Sequence, residues 1–82
     1  MNTVNFLNYI QYELLEFHYY VDSDCGSVVE LLLNTSDLST IEKDFSQTFI
    51  IETDVHSFVF SNHKVSEYYL DNNNLVRVVC IK

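Results

Sequence analysis

"TVNFLNYIQYELLEFHYY", Thr3 to Tyr20, is the stretch on which the fold turns. Leu7, Ile10, Leu14 and Phe17 recur in it at steps of three and four residues, with Phe6 beside them. On a backbone that turns about 100° per residue, that spacing gathers the apolar side chains on one side, so it predicts an amphipathic helix from about Thr3 to Tyr20. Asn2 or Thr3 supplies the side-chain oxygen an N-cap needs. The opposite face of that helix would carry Asn5, Tyr9, Tyr12, Glu16 and Tyr19. A solvated helix face ordinarily carries Lys, Glu and Gln. Tyrosine instead offers a large contact area with a polar tip at small entropic cost, which favours it at protein interfaces. The alternative is that these tyrosines pack against Tyr20, Tyr68 or Tyr69 in a second layer of the same domain.

Outward from this stretch the pattern changes. "VDSDCGS" breaks the helix with small polar residues and the only glycine, Gly26. "SVVELLLN", Ser27 to Asn34, is a short apolar, partly β-branched run and predicts a strand. "TSDLSTIEKDFSQ" sets Leu38, Ile41 and Phe45 at helical steps behind a Ser36 cap, which predicts two to three turns of helix. "TFIIET" and "HSFVFS" flank Asp54 and Val55, and "KVSEYYL" and "NLVRVVCIK" flank "DNN", a turn made by residues that tolerate positive φ. The sum is an α+β fold. An N-terminal amphipathic helix packs on a four- or five-stranded antiparallel sheet, with a short second helix. Residues 1–82 are enough for one domain and no second core.

Charge is the strongest functional lead. The net charge is −8. Residues up to Glu42 hold Glu13, Glu16, Asp22, Asp24, Glu30, Asp37 and Glu42 and no Lys or Arg. From Lys43 onward, Asp44, Glu52, Asp54, Glu67 and Asp71 nearly balance Lys43, Lys64, Arg77 and Lys82. Such a field repels nucleic acid and anionic lipid and attracts basic proteins, although solubility alone also explains a small acidic chain. The candidate partner surface is the row Glu13, Glu16, Asp22, Asp24, Glu30, Asp37, Glu42 and Asp44, together with Tyr9, Tyr12 and Tyr19, since a carboxylate pairs a cation while a ring takes its planar face.

Catalytic and metal chemistry find little support. His18, His56, His63, Cys25 and Cys80 match no zinc spacing. Asp22 and Asp24 begin like a calcium loop, but the glycine is misplaced and Leu33 stands where the loop needs Glu. A Cys25–His18 nucleophile would sit in an acidic loop that raises the thiol pKa. One glycine cannot build a phosphate-cradling loop, and there is no basic patch for nucleic acid. No cofactor, metal or catalytic residue is therefore assigned. No apolar run approaches the ~18 residues of a membrane span, and no secretory leader is seen, so a cytoplasmic protein with reduced thiols is expected. A single Cys25–Cys80 bridge remains open.

"DCGSVVELLL", Asp24 to Leu33, after an N-terminal helix of the expected length, resembles the start of the small acidic phage inhibitors of Cas9, the type II-A anti-CRISPR proteins. "EYYLDNNNLVRV", Glu67 to Val78, resembles their C-terminal part. The resemblance implies acids placed in the groove where Cas9 grips DNA, in imitation of phosphates. This chain departs from that family in a β-rich second half where the family is helical and strongly acidic. The expectation is a non-catalytic inhibitor that occupies the nucleic-acid groove of a basic nuclease by acidic mimicry. The alternative is an immunity protein that neutralises a toxin nuclease. Both imply a basic protein partner and no direct contact with nucleic acid or membrane.

Overall fold

The computed structural model describes residues 2–7 and 11–82. The helix expected at the N-terminus is not there. Thr3–Phe6 forms β1 and Gln11–Asp22 forms β2, a twelve-residue strand. β3 (Gly26–Leu33), β4 (Phe49–Glu52), β5 (Ser57–Phe60), β6 (Lys64–Leu70) and β7 (Val76–Ile81) follow, with one helical turn, α1 (Ile41–Asp44), between β3 and β4. The seven strands form one antiparallel sheet in the order β5-β4-β1-β2-β3-β7-β6. The α+β expectation is thus corrected to a mostly β protein.

The physical reason for the correction lies at Leu15. Leu14 pairs with Leu33 and Glu16 with Leu32, so Leu15 is an extra residue, a β-bulge. Before it Tyr12 and Leu14 point inward; after it Phe17 does, and Tyr19 follows at the next inward position, its ring 5.5 Å from that of Phe60. The step from Leu14 to Phe17 is therefore three residues while the chain remains extended, which copies the spacing of a helical stripe. The other supports of that stripe do not hold. Leu7 is 68% exposed, and Ile10 lies outside the described residues. Aromatic residues crowd this segment and suit a pleated surface, and sheet pairing on both sides outweighs the helical spacing.

β2 is long because it serves two halves of the sheet. Its start pairs with β1, and through β1 with β4 and β5; from Leu14 on, it pairs with β3, and through β3 with β7 and β6. A bulge bends its strand and increases the local twist, so the two wings turn their inner faces toward each other. Phe17, on one wing, meets Phe58 and Phe60, on the other, with ring centroids 5.4 and 6.1 Å apart. Between the wings lie Val4, Leu31, Phe49, Ile51 and Val78, all buried. α1 closes this core with Ile41 and the residue after it, Phe45, both fully buried. Burying a side chain such as Phe45 or Phe49 stabilises the fold by on the order of 2–3 kcal/mol. Cys80 joins the core as a free thiol pushed up to about 12 by burial, whereas Cys25 is free and exposed at a turn.

The second helix shrinks to a single turn because its first residues bond to themselves. Asp37 accepts hydrogen bonds from the Ser39 backbone N–H and hydroxyl, at 2.9 and 2.6 Å, which holds the chain in a turn instead of a helical entry. From Ser27 onward the strands fall where the sequence sets them. The "DNN" turn places Asn74 at φ 63°, with Asp71 Oδ1 accepting from the N–H groups of Asn73 and Leu75. Gly26, at φ 79°, takes the left-handed position at the β2–β3 turn, where any Cβ would be strained.

Candidate acidic interface

The partner surface expected from the sequence divides three ways. Tyr12 and Asp44 leave it entirely. Asp44 is 1% exposed, and its Oδ2 accepts a 2.7 Å hydrogen bond from the Tyr12 phenol, whose oxygen lies 3.0 Å from the Thr40 hydroxyl. Burial holds the Tyr12 phenol above its ordinary value, and the Asp44 carboxylate adds to that shift. The Tyr12 ring stacks on Phe45 and meets Phe6 edge-on, so this tyrosine belongs to the inner layer of its own domain. Tyr19 also faces inward, its ring against Phe60, although it stays half-exposed. Glu16 points the other way. Tyr9 lies outside the described residues. The shared helical face of tyrosines and glutamate does not exist, because alternate residues of a strand point to opposite faces.

Five acids do gather. Glu13, Glu16 and Asp22 lie on the outer face of β2, Glu30 lies on the outer face of β3 in register with His18, and Asp24 sits at the hairpin tip. At ~3.4 Å per residue, Glu13 and Asp22 are roughly 25–30 Å apart, with neighbouring carboxylates roughly 7–13 Å from one another along the ribbon. Asp37 and Glu42 lie apart from this line, in the loop after β3 and on α1.

What fixes these carboxylates matters as much as where they are. Glu13 accepts from the Asn34 amide at 2.9 Å. Asp22 accepts from the backbone N–H groups of Asp24 and Cys25, at 2.7 and 3.1 Å. The Tyr20 phenol lies beside Glu30, and that contact raises the phenol above its ordinary value. Glu42 accepts from Tyr68 at 3.4 Å. The Ser39 hydroxyl and N–H hold the Asp37 carboxyl below its ordinary value. These donors are all neutral, so each of the five carboxylates is oriented without having its charge cancelled. Glu16 is the exception. Arg77 approaches it at 3.4 Å and His18 at 3.7 Å, while Arg77 also reaches Asp71 at 3.6 Å.

Two outer-face acids were missed in the sequence. Glu52 pairs with Thr3, which pairs with Glu13 across β1. Glu67 pairs with Val79, which pairs with Glu30 across β7. Strict alternation along "FIIE" was the available signal for the direction of Glu52, but in "KVSEYYL" the bulge between Val65 and Glu67 breaks the alternation, and the neighbours of both acids depended on a strand order that only the fold provides.

Elsewhere, His63 is buried between the wings. Its Nδ1 bonds the Ser61 carbonyl at 3.0 Å, so that nitrogen carries the proton, and its Nε2 lies 2.9 Å from the Ser27 hydroxyl. These bonds clasp the β5–β6 connection to β3. Among the described residues no group of three or more His, Cys, Asp or Glu is placed to hold a metal ion, and no helix is long and apolar enough to cross a membrane. Comparison with protein-family models, curated proteins and solved structures finds no match to this chain.

Proposed function

We propose that this protein is a non-catalytic inhibitor that binds a basic nuclease through the acidic outer face of its β2–β3 ribbon. The observation that carries this reading is that Glu13 and Asp22 are held by neutral donors on one face of a paired ribbon, with Glu30 on the same face. A carboxylate so held keeps its charge and loses little entropy on meeting a cation, so it favours a partner that brings Arg or Lys. Duplex DNA presents about one charge per ~1.7 Å of axis, far denser than this ribbon. The ribbon therefore meets selected cations of a nucleic-acid groove and does not copy a continuous backbone. Steering by the net charge speeds encounter, and contact with the apolar and aromatic side chains beside the acids prolongs the complex.

The target is a host-defence nuclease such as Cas9 in one form of this reading. In the other it is a toxin nuclease, with the protein as its immunity partner. Either target would be met in the cytoplasm. The experiment is a salt series of titrations against purified Cas9 and a panel of basic toxin nucleases, with plain duplex DNA as the counter-sample. Binding to one nuclease that weakens as salt rises, with loss of its activity, is the expected result. Tight binding to the duplex itself, or no salt-sensitive binding to any nuclease of the panel, would refute the reading.

A further inference from the structure

The two margins of the sheet are built differently. Among the described residues, β5 and β6 are the outermost strands. β6 carries Lys64, Glu67 and a bulge between Val65 and Glu67, all devices that discourage another strand from adding on. β5 has none of them. It pairs with β4 in unbroken register from Phe49–Phe60 to Glu52–Ser57. The run Val55 to His63, "VHSFVFSNH", contains no Asp, Glu, Lys or Arg in a chain of net charge −8. Val59 is 66% and Phe58 36% exposed.

The ladder tells which backbone groups face outward. Thr53 N–H donates to the His56 carbonyl at 2.8 Å, which marks Thr53 and His56 as a hydrogen-bonded pair. Such pairs alternate with non-bonded ones in an antiparallel ladder, so Ile51–Phe58 and Phe49–Phe60 exchange bonds across to β4. Ser57 and Val59 therefore turn their N–H and C=O groups to the open margin. Beside that margin runs a groove of about 450 Å³ walled by Tyr19, Phe58 and Phe60.

We propose that β5 is a self-association edge, on which a second copy of this chain adds its own β5 antiparallel about a two-fold axis. One register satisfies every outward group. Ser57 of each copy pairs with Val59 of the other, giving four backbone hydrogen bonds, and Phe58 faces its twin at the axis. Such a non-bonded position brings side chains closest, where an aromatic pair stabilises a ladder. The contact is isologous, so it closes at two copies. Charge selects this occupant. Two copies of an acidic chain repel wherever their acids meet, and β5 is the open margin that brings none.

Sedimentation of the full chain from micromolar to millimolar concentration tests the inference, at low and at high salt. The expected result is a concentration-dependent dimer that salt strengthens, because screening relieves repulsion between like-charged copies. Val59→Lys should raise the dissociation constant about tenfold or more, while Val21→Lys, the same charge at an exposed site on β2, should leave it within about twofold. A wild-type chain that stays monomeric throughout would overturn the proposal. So would a dimer that survives Val59→Lys, or one that both substitutions weaken alike.

Discussion

Asp44 and Asp22 read alike in the sequence, yet the fold gives them opposite fates. Asp44 is sealed under the core, its charge answered by the Tyr12 phenol. Asp22 sits at the hairpin tip and is held by two backbone N–H groups. Both are oriented by neutral donors, but only one projects a field into solvent. The contrast teaches that a count of acids measures charge, while the direction of each side chain measures how much of it a partner can feel. At the Asp44 end substitutions act on stability; at the Asp22 end they act on encounter.

The sharpest way to break this contrast is Tyr12→Ala. It should remove about 3 kcal/mol of folding stability in a urea titration and leave the nuclease affinity of the folded fraction unchanged. An unshifted midpoint with weakened binding would put Tyr12 back at the interface. Asp44→Ala should cost less, roughly 1–3 kcal/mol, because the phenol keeps Thr40 as a partner. The same melt measures it, and a neutral result would mean that Asp44 does not anchor α1.

At the other end, the double substitution Asp22→Asn, Asp24→Asn should change stability little. It should slow association with the nuclease several-fold and flatten its salt dependence, as expected when exposed charges act on encounter rates. Stopped-flow binding at two salt concentrations reads this directly, and identical rates would make the tip a bystander. The smallest effect is expected at Asp37. Its folded pKa is depressed by Ser39, so its contribution is present above the ordinary carboxylate value and is lost as pH falls through the folded value. Ser39→Ala should therefore melt slightly below wild type at neutral pH and converge with it in strong acid. A gap that persists in acid would assign the effect to something other than this carboxylate.

Legibility followed the regularity of each segment. In "HSFVFS" and "NLVRVVCIK" apolar residues sit where a two-residue period or a buried strand requires them, and both segments fold as strands. In β2 the period is broken once, by Leu15, and the break supplies a three-residue step that a helix also supplies. Local spacing could not separate the two. The strands that settle the matter come from β1 and from β3, the latter contributing Leu31, Leu32 and Leu33 opposite Phe17, Glu16 and Leu14. The acids Glu13, Glu16, Asp22, Asp24 and Glu30 were legible as a group by composition. Their common outer face followed from the sheet, and so did the removal of Asp44, whose burial depends on a tyrosine thirty-two positions away.

Leu15 also separates two kinds of information that a chain usually carries together. Deleting a residue of β2 away from this bulge would invert which side chains the adjoining stretch of the strand sends to the core. Deleting Leu15 would not, since Leu14 and Glu16 already alternate as neighbours across the gap. A shortened chain lacking only this residue would preserve the order of inside and outside and lose the bend between the wings. Leu15 thus writes curvature and nothing else, and the deletion would let shape be edited while the message of polarity is left untouched.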